Sequence, residues 1–379
     1  MRVLGIETSC DETAVALVET NPTTTEVLAQ VISSQVNLHR AFGGVVPELA
    51  TREHLRNLPL LVPQVMQEAN LPLSAIDAIA TTEGPGLASS LLIGHSYARA
   101  LAVALSKPVV GVNHLEGHLY SPFIANRRAV EFPFVGLIAS GGHTLLVHAL
   151  GWDRYVKLGS TVDDAAGEAF DKVARLIGLP YPGGPEIEKM AIKGNPEAYG
   201  LPRSFPERDN LNFSFSGLKT AVRFFFEKSP QTGDPVWMYD LCASFQKAVV
   251  DVLVRKSIQA VALAQTGRLV ASGGVLCNSM LRSELESACR ENGIEFIVAT
   301  PAFCTDNAAM IAGTAAEKLE AGVDPAIGDD INPNLDLFSP EPNGDFARSM
   351  SKAIKIKNRQ KKETLQHGTV RAPGEIEVW

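Results

Sequence analysis

Two stretches of this chain repeat one plan, and that repeat limits the fold more than any other feature. In the first, Val3-Leu4-Gly5-Ile6 runs into Thr8-Ser9-Cys10-Asp11-Glu12-Thr13 and resumes as Ala14-Val15-Ala16-Leu17-Val18. In the second, Val135-Gly136-Leu137-Ile138-Ala139 meets Ser140-Gly141-Gly142-His143 and resumes as Thr144-Leu145-Leu146-Val147. β-Prone residues on both sides of a Gly- or Ser-rich turn predict hairpins. A third stretch, Leu269-Val270-Ala271-Ser272-Gly273-Gly274, repeats the strand and the turn and reads as a related hairpin. Strand-opened halves of similar size predict an internally duplicated α/β protein with its ligand held between the halves.

Helices fill the intervals. Residues 87–107 follow the tight turn Gly84-Pro85-Gly86 and are apolar at Leu91, Leu92, Ala98, Leu101, Ala102 and Leu105. Residues 241–266 do the same through Leu241, Phe245, Val249, Val252, Leu253 and Val261, with Gly267 expected as the stop. These stripes predict core faces. At 379 residues and 45% hydrophobic the chain is long and apolar enough for two or three packed domains.

Charge excludes a dedicated nucleic-acid binder, since 34 Lys and Arg against 42 Asp and Glu leave −8. The deficit is uneven: residues 342–379 carry eight Lys and Arg against four acids, which predicts a basic, disordered tail from 339 onward. Five widely spaced cysteines without a CxxC pair argue against a disulfide framework and a thiolate zinc site, and place the chain in a reducing, cytoplasmic setting. Cys277 and Cys304 are assigned no catalytic role. The opening Met1-Arg2-Val3-Leu4-Gly5-Ile6-Glu7 meets an acid too early for a signal-peptide core, and no apolar run is long enough to span a bilayer.

The sharpest local signal is Asn113-His114-Leu115-Glu116-Gly117-His118. An Asn cap followed by His at i and i+4 puts two imidazoles on one helix face, which is a metal-ligand spacing or a pair satisfied by hydrogen bonds. Zinc proteases place Glu directly after the first His. Here Glu116 stands two residues on, about 200° round the helix from His114, a poor position for a base on metal-bound water, which argues against proteolysis. Gly117 inside the turn points to close approach of another element. Asp306, in Thr305-Asp306-Asn307 before an Ala-rich helix, is either a cap or a third ligand; with both histidines it would complete a site suited to iron or zinc.

Three glycine turns, Ser140-Gly141-Gly142, Pro182-Gly183-Gly184-Pro185 and Ser272-Gly273-Gly274, offer backbone N–H groups to phosphate, and Asp171 offers a carboxylate to ribose. Neither GxxxxGK[ST] nor GxGxxG accompanies them, so neither a P-loop nor a Rossmann site is supported. An ATP-dependent small-molecule kinase or a nucleotide-regulated binding protein stays open on these residues, although both leave the paired histidines without a task.

Taken in order, Gly5-Ile6-Glu7-Thr8-Ser9-Cys10-Asp11-Glu12-Thr13, Pro47-Glu48-Leu49-Ala50-Thr51-Arg52-Glu53-His54, the His114 to His118 motif, Ser140-Gly141-Gly142-His143-Thr144, Tyr181-Pro182-Gly183-Gly184-Pro185 and Ser272-Gly273-Gly274-Val275 resemble the bacterial tRNA threonylcarbamoyladenosine transferase family. The resemblance runs to about Leu337. It implies an α/β fold of two duplicated actin/Hsp70/sugar-kinase-like domains, residues 1–130 and 131–338, with an interdomain active-site cleft and the tail 339–379 outside. It implies transfer of a threonylcarbamoyl group from threonylcarbamoyl-AMP to N6 of the adenosine 3′ to the anticodon, in tRNAs reading codons that begin with A, with release of AMP. Carried over position by position, His114, His118 and Asp306 become the ligands of one divalent metal, Fe2+ first and Zn2+ second. Ile138, Ala139, Ser140, Gly141, Gly142, Asp171, Gly184, Glu188 and Asn278 become substrate positions. The implied partners are tRNA, a smaller paralogue and a P-loop ATPase. Arg52, Arg203, Arg208, Lys219 and Arg223 are the candidate phosphate contacts of the acidic body.

Overall fold

The computed structural model describes residues 1–21, 24–207, 209–228, 235–323 and 330–338; Arg208 and the tail lie outside them. One compact unit runs from Met1 to Phe338. Its first sheet is built from β1 (Arg2–Glu7), β2 (Glu12–Asn21), β3 (Thr24–Ser34), β4 (Ala78–Gly84) and β5 (Val109–Asn113), in the order β3-β2-β1-β4-β5. The second uses β6 (Phe134–Ala139), β7 (Thr144–Gly151), β8 (Arg154–Ser160), β9 (Arg268–Ser272) and β10 (Glu295–Val298), in the order β8-β7-β6-β9-β10.

The two orders are the same. In each sheet the first three strands form an antiparallel meander, and the fourth and fifth add in parallel. The duplication expected from the two hairpins is therefore present strand for strand. The third stretch is corrected by the same comparison. β9 pairs parallel with β6, so residues 268–278 correspond to β4 and its turn and do not form a hairpin. A strand and a glycine turn look alike whether the chain reverses beside itself or crosses to a helix.

The long second-half helix runs Val236–Ala264, and Gln265, at φ 54°, ends it by donating its N–H to Val261 O. Gly267 is not the stop, because the left-handed turn falls two residues earlier on a non-glycine residue. The helix expected over 87–107 is found as Ala88–Leu105.

Each half sends the helix after its fifth strand onto the other half's sheet. The helix His114–Ala125 follows β5 and buries Leu115, Leu119, Tyr120, Phe123 and Ile124 against Phe134, Ile138, Leu145, Val147 and Val270 of the second sheet. The helix Ala308–Glu320, beyond β10, buries Ala308, Ala309, Ala312, Ala315 and Ala316 against Val3, Ala14, Ala16, Ala80 and Val112 of the first. The two exchanged helices touch each other. A Cβ on Gly117 would lie 3.0 Å from Ile311 Cδ1, and one on Gly313 would lie 2.4 Å from Tyr120 Cε1. The close approach signalled by Gly117 is thus the approach of the partner helix, and small residues on both sides permit it.

Candidate functional site

Where the exchanged helices meet, β5 delivers Asn113, whose side chain accepts the Leu115 N–H at 2.9 Å and starts the helix at His114. One turn separates His114 from His118, so the rings lie edge to face with centroids 4.8 Å apart. Both are buried. Asp306 arrives from the other helix. Asn307 caps that helix by accepting the Met310 N–H at 3.0 Å, which removes the capping reading from Asp306. Asp306 Oδ1 instead lies 3.6 Å from His114 Nε2 and 3.2 Å from His118 Nε2.

The ligand atoms of His114, His118 and Asp306 fall within 4.8 Å of one another. Each imidazole is fixed through its other nitrogen. His114 Nδ1 meets Glu7 Oε2 at 3.2 Å and Ser9 Oγ at 3.3 Å, while His118 Nδ1 meets Ser272 Oγ at 3.4 Å. Glu7 is held in turn, accepting from Thr82 Oγ1 at 2.6 Å and from Ser9 N at 2.5 Å. An imidazole with Nδ1 engaged presents Nε2 as a metal donor.

Electrostatics point the same way. Burial works against a charged His114, yet the Asp306 and Glu7 carboxylates outweigh it and raise this imidazole to about 9. Burial likewise opposes ionisation of Asp306 and Glu7, and the charge on His114 overcomes it and holds both below the usual carboxylate range. One proton balances only one of these two buried carboxylates, whereas a divalent cation balances both. His118 Nε2 is also a buried nitrogen with no hydrogen bond, so the residues present fit a metal.

His114 and Asp306 of the cluster line a cavity of about 640 Å³, with His118 buried behind them. Ser140, Gly141, Gly142, His143 and Asp171 line it, as do Asp11, Glu12, Lys172 and Arg175. A Cβ on Gly141 or Gly142 would touch nothing within 4 Å, so the protein's own packing does not require glycine there. Gly273 differs: it sits at φ +104°, and a Cβ would lie 2.3 Å from Ala139 O. The first pair leaves room for a ligand to reach the backbone, and Gly273 serves the fold. Burial, aided by the charge on His114, drives His143 down to about 4, which makes it a neutral imidazole facing the cavity. Burial and neighbouring Asp11 push Glu12 well up.

The remaining sequence candidates are distributed differently. Ile138 and Ala139 are fully buried within β6, and the cavity wall begins at Ser140. Asp171 lines the cavity, with Oδ1 accepting the Gly183 N–H at 2.7 Å. Gly184, Glu188 and Asn278 do not line it. Glu188 accepts from Ser279 N at 2.8 Å and Ser279 Oγ at 2.5 Å, beside a second recess of about 430 Å³. Asn278 caps the helix Ser279–Glu291 through Leu281 N and donates to Gln246 Oε1 at 2.7 Å. Of the basic candidates, Arg203 is bound to Asp251 at 2.7 Å and Arg223 to Glu227 at 2.7 Å. Glu116 faces away from the histidines, accepting from Tyr155 Oη at 2.7 Å and Lys318 Nζ at 3.1 Å. Glu7 had no role in the sequence reading; its signal is an acid ending an apolar strand that is buried from Val3 onward.

Residues 26–313 match the model of the family described as tRNA N6-adenosine threonylcarbamoyltransferase. The protein of that name from Geobacter metallireducens is 48% identical over 337 residues, covering 89% of this chain and 97% of that protein. Its namesake from Kosmotoga olearia is 47% identical over 339 residues, 89% of this chain and 100% of that protein. Among solved structures, full-length HypF in a phosphate- and nucleotide-bound form is similar at TM-score 0.56 and 14% identity, covering 84% of this chain and 46% of that one. HypF from T. kodakarensis is similar at TM-score 0.56 and 14% identity over 85% of this chain and 48% of that one. These likenesses and the two sheets of one topology give the chain the α/β fold of the actin/Hsp70/sugar-kinase group.

Proposed function

The chain belongs to the tRNA N6-adenosine threonylcarbamoyltransferase family, and from that membership we propose how its site divides the work of transfer. The enzyme is a transferase. The donor is threonylcarbamoyl-AMP, the acceptor is N6 of the adenosine 3′ to the anticodon in tRNAs reading codons that begin with A, and AMP leaves. One observation carries this reading: a two-histidine, one-carboxylate cluster that opens through His114 and Asp306 onto a nucleotide-sized cavity lined by an open Ser-Gly-Gly turn.

Held by His114, His118 and Asp306, a divalent metal, Fe2+ ahead of Zn2+, would supply Lewis acidity and positive charge beside the cavity. That charge matters because the carboxylates of Asp11, Asp171 and Asp306 would otherwise repel an adenylate. The Gly141 and Gly142 backbone turns toward phosphate and carbonyl oxygen, and Asp171 accepts from ribose. Glu7 keeps His114 in the tautomer whose Nε2 points inward. An exocyclic adenine amine is a poor nucleophile, so the chain's main contribution is to hold donor and acceptor in line. Gly184 enters this scheme through its backbone bond to Asp171, and Glu188 and Asn278 through the Ser279–Glu291 helix start that both hold.

An acidic body gripping tRNA fits a shared task in which a smaller paralogue and a P-loop ATPase assist. No helix among the described residues is long and apolar enough to cross a membrane, and a tRNA substrate fits a cytoplasmic setting. The proposal is tested by mass spectrometry of tRNA nucleosides after the full chain and its partners are incubated with threonylcarbamoyl-AMP and unmodified tRNA. Wild type should form threonylcarbamoyladenosine, and His114→Ala, folded by circular dichroism, should form none. Equal product from both would remove the metal cluster from the reaction.

A further inference from the structure

A cavity in which an adenine amine meets an acyl donor must admit that adenine from outside, so the residues at its mouth face the RNA. Of the residues lining the cavity, Gly43, Gly141, Gly142, Arg175 and Thr305 are exposed and mark the mouth. Arg175 is the charged member. It stands near the end of the helix Ala166–Leu176, one turn beyond Lys172, which also lines the cavity. Lys172 is spent on Asp164 at 2.7 Å and Glu168 at 2.8 Å. The Arg175 guanidinium has neither an ion pair nor a hydrogen bond among the described residues.

The other side of the mouth comes from the first half, as the short turn Arg40–Phe42 closed by Gly43 at φ 68°. A Cβ on Gly43 would lie 3.7 Å from Arg175 Cζ, so the guanidinium packs against this turn across the opening. Arg40 Nε donates to Tyr181 O at 3.0 Å, which ties the turn to the second half and leaves an exposed guanidinium with no carboxylate partner among the described residues. Phe42, in the same turn, is 57% exposed and makes no ring contact among the described residues. Two uncompensated arginines and a bare aromatic ring thus share one rim.

The geometry points to this rim as the docking place of the tRNA loop, with Arg40 and Arg175 on the phosphates flanking the target adenosine and Phe42 stacked on a neighbouring base. The inference rests on the proposed function for the RNA it names. A base that enters a cavity for chemistry leaves its neighbours outside, at the opening. Single-stranded RNA is held there by stacking on aromatic rings and by arginine. The chain as a whole is at −8, and the carboxylates of Asp11, Asp171 and Asp306 inside the cavity repel phosphate. Phosphates are therefore met outside the cavity, where positive charge is not already spent on the protein's own acids. Two arginines alone would also suit an acidic peptide; the exposed ring beside them, at the opening of a nucleotide-sized cavity, selects RNA.

The experiment measures binding of unmodified tRNA to the full chain with its partners across a salt series, and transfer with each substrate varied in turn. Arg175→Ala and Arg40→Ala should each reduce the slope of log Kd against log salt by about 0.7, and Arg175→Lys should keep it. Phe42→Ala should weaken binding about tenfold with the slope unchanged. All three alanine variants should raise KM for tRNA and leave KM for threonylcarbamoyl-AMP as in wild type. Arg290→Ala, whose charge is already spent on Glu286, should change none of these. Unchanged tRNA affinity and salt slope in folded Arg40→Ala/Arg175→Ala overturn the inference, as does wild type that binds no tRNA. A rise in KM for the donor alone overturns it by giving Arg175 to the adenylate, and weakened association with the protein partners at unchanged tRNA affinity overturns it in favour of an acidic peptide. Binding is read without turnover, so tRNA binding that shows these losses in a chain without transfer contradicts the proposed function and supports the rim.

Discussion

The helices after β5 and β10 hold equivalent places in two sheets of one topology, yet they bring opposite things to their meeting point. His114–Ala125 is bulky and aromatic toward the second sheet and carries two imidazole donors on its other face. Ala308–Glu320 is thin and Ala-rich toward the first sheet and is preceded by one anionic donor. Neither half owns a complete ligand set. Duplication supplied the symmetric frame, and divergence of the two crossing helices supplied the chemistry. On the side away from the histidines, Lys318 of one helix and Glu116 of the other close the contact, with Tyr155 and Asp153 completing the group.

The strongest way to break this arrangement is to remove one end of that clamp. Lys318→Met leaves Glu116 buried beside Tyr155 alone, and urea unfolding should show a loss of about 3–5 kcal/mol, with partial recovery in Glu116→Gln/Lys318→Met. A change in the single variant indistinguishable from that of an exposed lysine would show that the clamp is not what joins the helices.

A second test separates the helix contact from the rest of the second half. Lys256 is buried in the long helix Val236–Ala264, donating to the Asn210 carbonyl at 2.6 Å and the Phe205 carbonyl at 3.1 Å, and desolvation, with Arg255 nearby, lowers it to about 8. The unfolded chain then binds more protons than the folded one between about 8 and 10.5. Stability should rise with pH across that window by up to about 3 kcal/mol, and Lys256→Met should abolish the rise. Metal affinity at fixed pH should not respond to this substitution, because Lys256 touches neither crossing helix.

A smaller effect is expected at Glu7. Glu7→Gln keeps the shape but weakens the hold on His114 Nδ1, and metal affinity by competitive chelation should fall about 10- to 100-fold, about 1.4–2.7 kcal/mol. Unchanged affinity would show that Ser9 alone orients the imidazole.

What the sequence made legible was local. The i, i+4 histidines, the Asn113 cap and the outward direction of Glu116 follow from helix geometry, and the two hairpins follow from strand and turn composition. What it hid depends on residues distant in the chain. Asp306 and Asn307 are adjacent and both suited to capping, and only the meeting with His114 and His118 decides which of them caps. Glu7 finds His114 across 107 residues, and the exchange of helices leaves no mark in either helix's own periodicity. Glu188 and Asn278 look like ligand groups as residue types, and in the fold both hold one helix N-terminus. Gln265 ends a helix that Gly267 was better suited to end, taking the left-handed conformation two residues earlier.

The measurement closest to the central claim is the metal content of the purified full chain, wild type against Asp306→Ala, with fold checked by circular dichroism. A site shared between the crossing helices predicts one tightly held divalent ion per wild-type chain and loss of that ion when the second helix's carboxylate is removed, although both histidines remain. Equal metal in the two proteins would contradict it, because the histidine helix would then be a complete site by itself.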